Sequence, residues 1–268
     1  MSTLLSRIRH KFTAFGELLA FDNRWELIAG QILFGKRMAI YRFRGAEILV
    51  DHRTGDHCGG ARSVFATDEY RQFLPRLKFA GPLNILDLGA HVGSFPILLK
   101  VLGFQIGRLV CVEPNAATLP KLQFNLRRNL GEGHVVLNEA VGGTAGTMRL
   151  WQSGPSVGSS LIENHSPGSK CVGEVTVATF DDLYDRHFAP SVVDICKLDI
   201  EGAEFDLVAA ASSSKLDRCR CIVIEVHPTA EHSLEGIVRA IVARGFRELP
   251  GDAACYSHTF CFVNPALQ

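Results

Sequence analysis

The stretch Asn84-Ile-Leu-Asp-Leu-Gly-Ala-His-Val-Gly-Ser94 ends an apolar run in a glycine-rich turn, and Glu113 follows twenty positions after Gly93. Such a turn lets backbone approach a ligand closely, and an acid closing the next apolar run can accept ribose hydroxyls. Asp87 inside the turn disfavours a pyrophosphate, the group that a Gly-x-Gly-x-x-Gly loop and a helix N-terminus would cradle. A ligand with an ammonium, a sulfonium and a ribose but no phosphate fits better. The charge pattern therefore favours S-adenosylmethionine over NAD. More acids stand where later apolar runs end: Glu139, then Asp199 and Glu201 after Lys197, then Glu225 with His227. Charged residues confined to run ends point to one cleft beyond the carboxyl ends of a sheet.

Methyl transfer is an in-line displacement, which positioning alone can accelerate. If the acceptor is an alcohol its proton must also leave, and a general base contributes ~10²–10⁴-fold. Asp199, Glu201, Glu225 and His227 are the candidates. His227 has the best intrinsic pKa, although before Pro228 it could equally close its strand. Lys197 either pairs a neighbouring carboxylate or orients the acceptor. Asp199, Glu201 and Glu225 could also hold a divalent metal, since oxygen ligands suit magnesium; catalysis without a metal is the expectation adopted.

The elements that must position these residues follow from periodicity and punctuation. Strand Ile85–Leu88 leads through Ser94 to a helix over 95–102, and strand Arg108–Val112 to a helix bearing Leu119, Leu122, Leu126 and Leu130. Thr179-Phe-Asp-Asp182 reads as a capping box opening a helix over 180–188. Strands Val192–Leu198 and Cys221–Val226 are almost wholly apolar, as in a sheet covered on both faces. Two last strands, Phe246–Leu249 and Tyr256–Val263, look like a terminal hairpin. Residues 1–80 read as a cap of helix, β-hairpin (Met38–Phe43 and Ala46–Val50) and a second helix running from near Thr67 to Gly81. The Gly-rich loop 51–60, with His52, Asp56, His57 and Cys58, reads as a solvated loop over a pocket mouth, not as a metal site. Residues 142–173 form a less regular Gly- and Ser-rich insertion in the domain 81–268.

The totals fit one α/β domain with an N-terminal elaboration: 268 residues, 47% hydrophobic and 21% charged. Lys+Arg and Asp+Glu are 28 each, so the basic excess of a nucleic-acid binder is missing. Eight cysteines without a Cys-x-x-Cys pair suit reduced, mostly buried thiols in a cytoplasmic protein. No run reaches the ~18 apolar residues of a membrane span. Residues 4–15 follow a basic amphipathic helix pattern, read as docking on the domain itself or a partner subunit. Peripheral membrane contact through residues 1–20 is the alternative, and homo-oligomerisation is left open.

Asp-Leu-Gly-Ala-His-Val-Gly-Ser-Phe95, Val-Glu-Pro-Asn115, Asn-Glu-Ala-Val-Gly142, Ser-Ser-Leu161, Val-Ala-Thr-Phe-Asp-Asp-Leu183 and Lys-Leu-Asp-Ile-Glu-Gly-Ala-Glu204 occur in that order. Over roughly residues 80–228 the chain resembles the FkbM-type family of S-adenosylmethionine-dependent class I methyltransferases, the last string being the most specific. The resemblance implies a Rossmann-like, doubly wound, mostly parallel sheet of seven strands with an antiparallel edge strand. It implies that Asp87, Gly89, Ala90, His91, Gly93 and Ser94 line the methionine part of the cofactor and that Glu113, beside Pro114, takes the ribose hydroxyls. Asn115, Glu139, Ala140 and Val141 would border the adenine, with Asp199 and Glu201 facing the methionine ammonium or the acceptor. Ser159 and Ser160 would close over the substrate. His91 stands where the family usually has Asn. The implied reaction is O-methylation of a sugar, glycolipid or secondary metabolite; a non-catalytic binding member and a nicotinamide oxidoreductase are the alternatives.

Overall fold

Apolar runs bounded by turns become the buried strands of one seven-stranded sheet in the computed structural model. It describes residues 15–33, 35, 37–152, 159–163, 168–228, 233–251 and 258–268, so the expected helix 4–15 lies, Phe15 excepted, outside the described residues. In chain order the elements are α1 (Arg24–Leu33), β1 (Met38–Phe43), β2 (Ala46–Asp51), a π-helical turn His57–Arg62 running into α2 (Ser63–Ala66), then β3 (Leu83–Leu88), α3 (Ser94–Val101), β4 (Ile106–Val112), α4 (Leu119–Leu130), β5 (Val135–Leu137), β6 (Ala140–Val141), β7 (Gly146–Gln152), β8 (Ser159–Ser160), β9 (Lys170–Ala178), α5 (Phe180–His187), β10 (Val193–Leu198), α6 (Glu204–Ala209), β11 (Cys219–Glu225), α7 (Leu234–Ala243), β12 (Arg247–Leu249) and β13 (Thr259–Val263).

The main sheet runs β12-β13-β11-β10-β3-β4-β5. The strands from β11 to β5 are parallel, while β13 enters antiparallel between β11 and the edge strand β12. Ile195 of β10 lies opposite Ile85 of β3 and Cys221 of β11, fixing which residues reach the strand ends together. Chain order reverses at the β3–β10 neighbours, and a crevice opens there beyond the carboxyl ends. One face of the sheet buries Leu98, Leu122 and Leu126 with the apolar residues of the β1–β2 hairpin; the other buries Phe180, Leu207 and Ile237. The capping box forms as expected, with Thr179 and Asp182 each accepting the other's backbone N–H.

Two expectations are corrected. Residues 67–80 do not form a continuous helix: α2 stops at Thr67, which turns extended, and Pro75 supports only a 3-10 turn over Leu74–Arg76. The helical segment of the cap lies earlier, in the stretch expected to be a solvated loop, where Asp56, Gly60 and Ala61 are buried. The insertion is also more regular than its composition suggests. Strands β7 and β9 pair antiparallel along their length, and β6 and β8 complete a four-stranded sheet. The seven described cysteines are free. Among the described residues no helix is long and apolar enough to cross a membrane.

Helix α4 covers the open edge of β2 with two asparagines. Asn125 accepts from Leu49 N (2.7 Å) and donates to Leu49 O (3.0 Å) and Val92 O (2.9 Å). One turn later, Asn129 accepts from Glu47 N (2.9 Å) and donates to Glu47 O (2.7 Å). Four helical residues rise about 6 Å and two strand residues about 6.8 Å, so the amides meet alternate strand residues as another strand would. Replacing Asn125 by Ala strands three backbone groups, at ~1–3 kcal/mol for each that stays buried. Urea unfolding should show a loss of about 3 kcal/mol; a change within error would mean water replaces the amide.

Candidate active site

The crevice beyond β3, β4, β10 and β11 is a cleft of about 570 Å³. Its floor is the turn after β3. Gly89 has φ +77°, and a Cβ built there would stand 1.7 Å from the carbonyl oxygen of Asp199. Only glycine lets the β3 and β10 loops approach so closely. Lys197, at the end of β10 and buried, fastens that contact: its Nζ donates to Gly89 O (2.9 Å) and Asp199 Oδ2 (3.0 Å) and lies 3.7 Å from Asp87 Oδ1. Burial alone would lower the pKa of the ammonium, but Asp199 and Asp87 raise it above the ordinary lysine value. Asp87 is fully buried with neither carboxylate oxygen hydrogen-bonded, and burial pushes it up to about 6 against the pull of Lys197.

His91 holds φ +48°, a left-handed conformation in which Asn and His are enriched among non-glycine residues, which accounts physically for that pair of residue types here. Its backbone N–H donates to Glu113 Oε2 (2.8 Å), and Glu113 Oε1 accepts from Asn115 N (2.9 Å). The carboxylate thus ties the turns after β3 and β4 together. Glu113 is 6% exposed, and burial raises its pKa despite those hydrogen bonds and His91. Pro114, Asn115, Ala140 and Val141 continue the wall on this side, with Leu150 and Leu161 beyond them. Glu139 also lines it, held by two ion-pair hydrogen bonds from Arg186 (3.0 and 2.6 Å).

The opposite wall is an acidic cluster organised by Glu204. That side chain is wholly buried; Oε1 accepts from Ile200 N (3.1 Å) and stands 3.0 Å from His227 Nδ1, while Oε2 accepts from Gly202 N (2.9 Å). It shapes the turn carrying Asp199 and Glu201 and also aims the imidazole. Ser160 Oγ donates to Glu201 O (2.6 Å), bracing the left-handed residue Glu201 (φ +53°). Burial would lower the pKa of His227, but Glu204, Glu201 and Asp199 lift it to about 10. The charge of Asp199, then burial and Glu69, push Glu225 up to about 8.

Of the residues expected in the site, Gly89, Ala90, His91, Ser94, Glu113, Pro114, Asn115, Glu139, Ala140, Val141, Ser159, Lys197, Asp199, Glu201, Glu225 and His227 share the cleft. Three stand elsewhere. Asp87 lies beneath the floor, behind Lys197. Gly93 faces α4, where a Cβ would sit 2.8 Å from Leu122 Cδ1, so its glycine serves helix packing. Ser160 braces the Glu201 turn in place of lining the cleft. Lys197 meets carboxylates and a carbonyl, which makes it a positioning residue.

The segment before β3 contributes Asp56, expected in a solvated loop and found buried, and also Glu69 and Tyr70, which the sequence did not single out for the site. Asp56, 1% exposed, pairs with Lys121 Nζ (2.6 Å) and His91 Nε2 (3.2 Å) and accepts from Asp51 N (2.9 Å). Glu69 and Tyr70 line the cleft beside the acidic wall, and Thr259 Oγ1 donates to Glu69 Oε1 (2.8 Å).

Comparison with known proteins adds a family match: the sequence model of the Methyltransferase FkbM domain covers residues 87–248. Among solved structures, the methyltransferase FkbM of Methylobacillus flagellatus is 18% identical, with a TM-score of 0.48 over 70% of this chain and 44% of that one. The chain thus spans less than half of that protein's length. Magnesium protoporphyrin IX methyltransferase from Synechocystis, solved with bound S-adenosylmethionine, is 13% identical (TM-score 0.44; 78% of this chain, 82% of that one). Aeropyrum pernix fibrillarin, also with S-adenosylmethionine, is 13% identical (0.42; 85% and 94%). No curated protein sequence matches the chain significantly.

Burial would raise the pKa of Asp56, but His91 and Lys121 hold it well below the ordinary value. A depressed folded pKa means stabilisation fully present above the unfolded pKa of about 4 and lost as pH falls from there. Asp56→Asn should cost about 3 kcal/mol at neutral pH. The gap to the parent should narrow below about pH 4 in urea unfolding series; a gap constant with pH would show that charge is not the source.

Proposed function

Because the chain belongs to the FkbM family of methyltransferases, we propose that it transfers a methyl group from S-adenosylmethionine to a hydroxyl of a sugar, glycolipid or secondary metabolite. The observation carrying this reading is the pairing of Glu113, at the end of β4, with the glycine turn after β3. It places a nearly buried carboxylate beside an apolar wall of Ala140 and Val141, an arrangement suited to a ribose and an adenine. The rest of the cleft fits the same ligand. Asp56, Glu69, Glu113, Glu139, Asp199, Glu201 and Glu225 outnumber Lys121, Lys197, His91 and His227, so a cationic occupant is favoured over a phosphorylated one. Ser94 Oγ, buried and lacking a hydrogen-bond partner, lies at the start of α3, where a ligand carboxylate would be welcome.

S-adenosylmethionine, when bound, supplies a methyl group made electrophilic by the sulfonium. The protein's task is then to hold and align. Lys197 fixes the Gly89 and Asp199 backbones, and Glu113 fixes His91, so the floor is rigid before the acceptor arrives. Asp56, through its pairs with His91 and Lys121, ties the segment before β3 to the rim of the cleft. An acceptor hydroxyl approaches along the acidic wall and gives its proton to Glu225, which faces the cleft near Asp199 and Glu69. S-adenosylmethionine, held by Glu113 and the Gly89 turn, would supply the methyl group to the acceptor oxygen and would leave as the neutral thioether.

Glu113→Gln keeps the shape and removes the charge. It should weaken binding of S-adenosylhomocysteine by ~1–3 kcal/mol, or about 5–150-fold, in titration calorimetry. Unchanged affinity would remove Glu113 from the ribose site. Methyl transfer from labelled S-adenosylmethionine to a panel of hydroxylated glycans and glycolipids tests the acceptor class, and transfer only to amines or carbon would overturn O-methylation.

A further inference from the structure

The geometry points to a divalent cation site on the acceptor side of the cleft, built from Asp199, Glu201 and His227. This deepens the methyl-transfer reading and rests on it for the cation's role, though not for its binding. One side-chain donor atom from each of the three lies within 4.8 Å of the others. Bonds of about 2.1 Å place two ligands of one ion about 3.0 Å apart in cis and about 4.2 Å apart in trans, so small side-chain adjustments would close the set.

His227 is held from behind by a further carboxylate, Glu204. Its Nδ1 is 3.0 Å from Oε1 of Glu204, a wholly buried carboxylate that also accepts from Ile200 N and Gly202 N. A carboxylate behind Nδ1 keeps one proton there, so an ion that displaces the proton on Nε2 meets a ring already aimed, as in carboxylate–histidine–metal arrangements. The forward atom, Nε2, stands 3.6 Å from Glu201 Oε2 and 3.8 Å from Glu225 Oε1, so the ring faces the acids of this wall. The same Glu204 therefore sets both the turn that carries Asp199 and Glu201 and the ring that faces them. An orienting residue common to every donor is what a metal centre needs, and a chance group of surface acids lacks one.

Two carboxylates and one imidazole suit a hard or borderline ion such as Mn²⁺ or Mg²⁺. The cation would bind an acceptor hydroxyl and favour its deprotonation at the wall from which the methyl group is approached. An acceptor with a second adjacent oxygen could complete the coordination, which favours vicinal diols over isolated alcohols.

The test is titration of Mn²⁺ into the full chain, followed by the electron paramagnetic resonance of the free ion. S-adenosylhomocysteine binding is measured in parallel by calorimetry. The expected result is one saturable Mn²⁺ per chain, with nitrogen modulation in the pulsed spectrum. Affinity should fall at least 10-fold in Glu201→Gln, and the nitrogen modulation should vanish in His227→Gln. Glu204→Gln should weaken binding 10–100-fold as an orienting residue, even with Asp199, Glu201 and His227 intact. Absence of a saturable site, or equal binding by both Glu201→Gln and His227→Gln, overturns the proposal. Loss of S-adenosylhomocysteine binding with Mn²⁺ binding retained would instead overturn the methyl-donor reading.

Discussion

The structure depends on two backbone loops touching where the sheet reverses direction. Gly89 after β3 meets the carbonyl of Asp199 after β10 so closely that no side chain could stand between them. One buried ammonium, Lys197, joins the two loops. A buried lysine is costly unless its charge is met, and here Asp199, Asp87 and a carbonyl meet it together. The apolar interiors of β3 and β10 hold the polar group at the strand ends. The cleft exists because these ends are pinned rather than splayed.

The second constraint is charge. Seven carboxylates converge on the cleft, with Lys121, Lys197 and His227 as the opposing charges. Asp87, Glu113, Glu69 and Glu225 all have raised pKa values, with burial or a neighbouring carboxylate as the main cause. An apo site under such repulsion gains from a cationic occupant. A sulfonium with an ammonium relieves the floor, and a divalent ion would relieve the acceptor wall. The acids are therefore as much a statement about ligands as the glycine turn is.

Much of this was legible in the sequence because strands buried on both faces tolerate charge only at their ends. Asp199, Glu201, Glu225 and His227 announced themselves that way, and Glu113 by its distance from the turn. Gly93 did not, since spacing cannot tell whether a glycine makes room for a ligand or for Leu122 of a helix. Asp56 was hidden for another reason. Its ion-pair partners, His91 and Lys121, are 35 and 65 positions away, and the glycine-rich stretch around it looks like a loop until it folds as a π-helical turn. The helix expected over 67–81 failed because Thr67 turns extended and Pro75 supports only a 3-10 turn. Ser160 kept its place in the chain but changed its duty, from cleft lining to bracing Glu201.

The central claim is that the close approach at Gly89 forms the floor of an S-adenosylmethionine site. Calorimetric titration of S-adenosylhomocysteine into the parent chain and into Gly89→Ala, each shown to be folded, tests it most directly. Saturable one-to-one binding by the parent and loss of detectable binding in Gly89→Ala is the expected result. Equal affinity in the two proteins, or no binding by the parent, would contradict it.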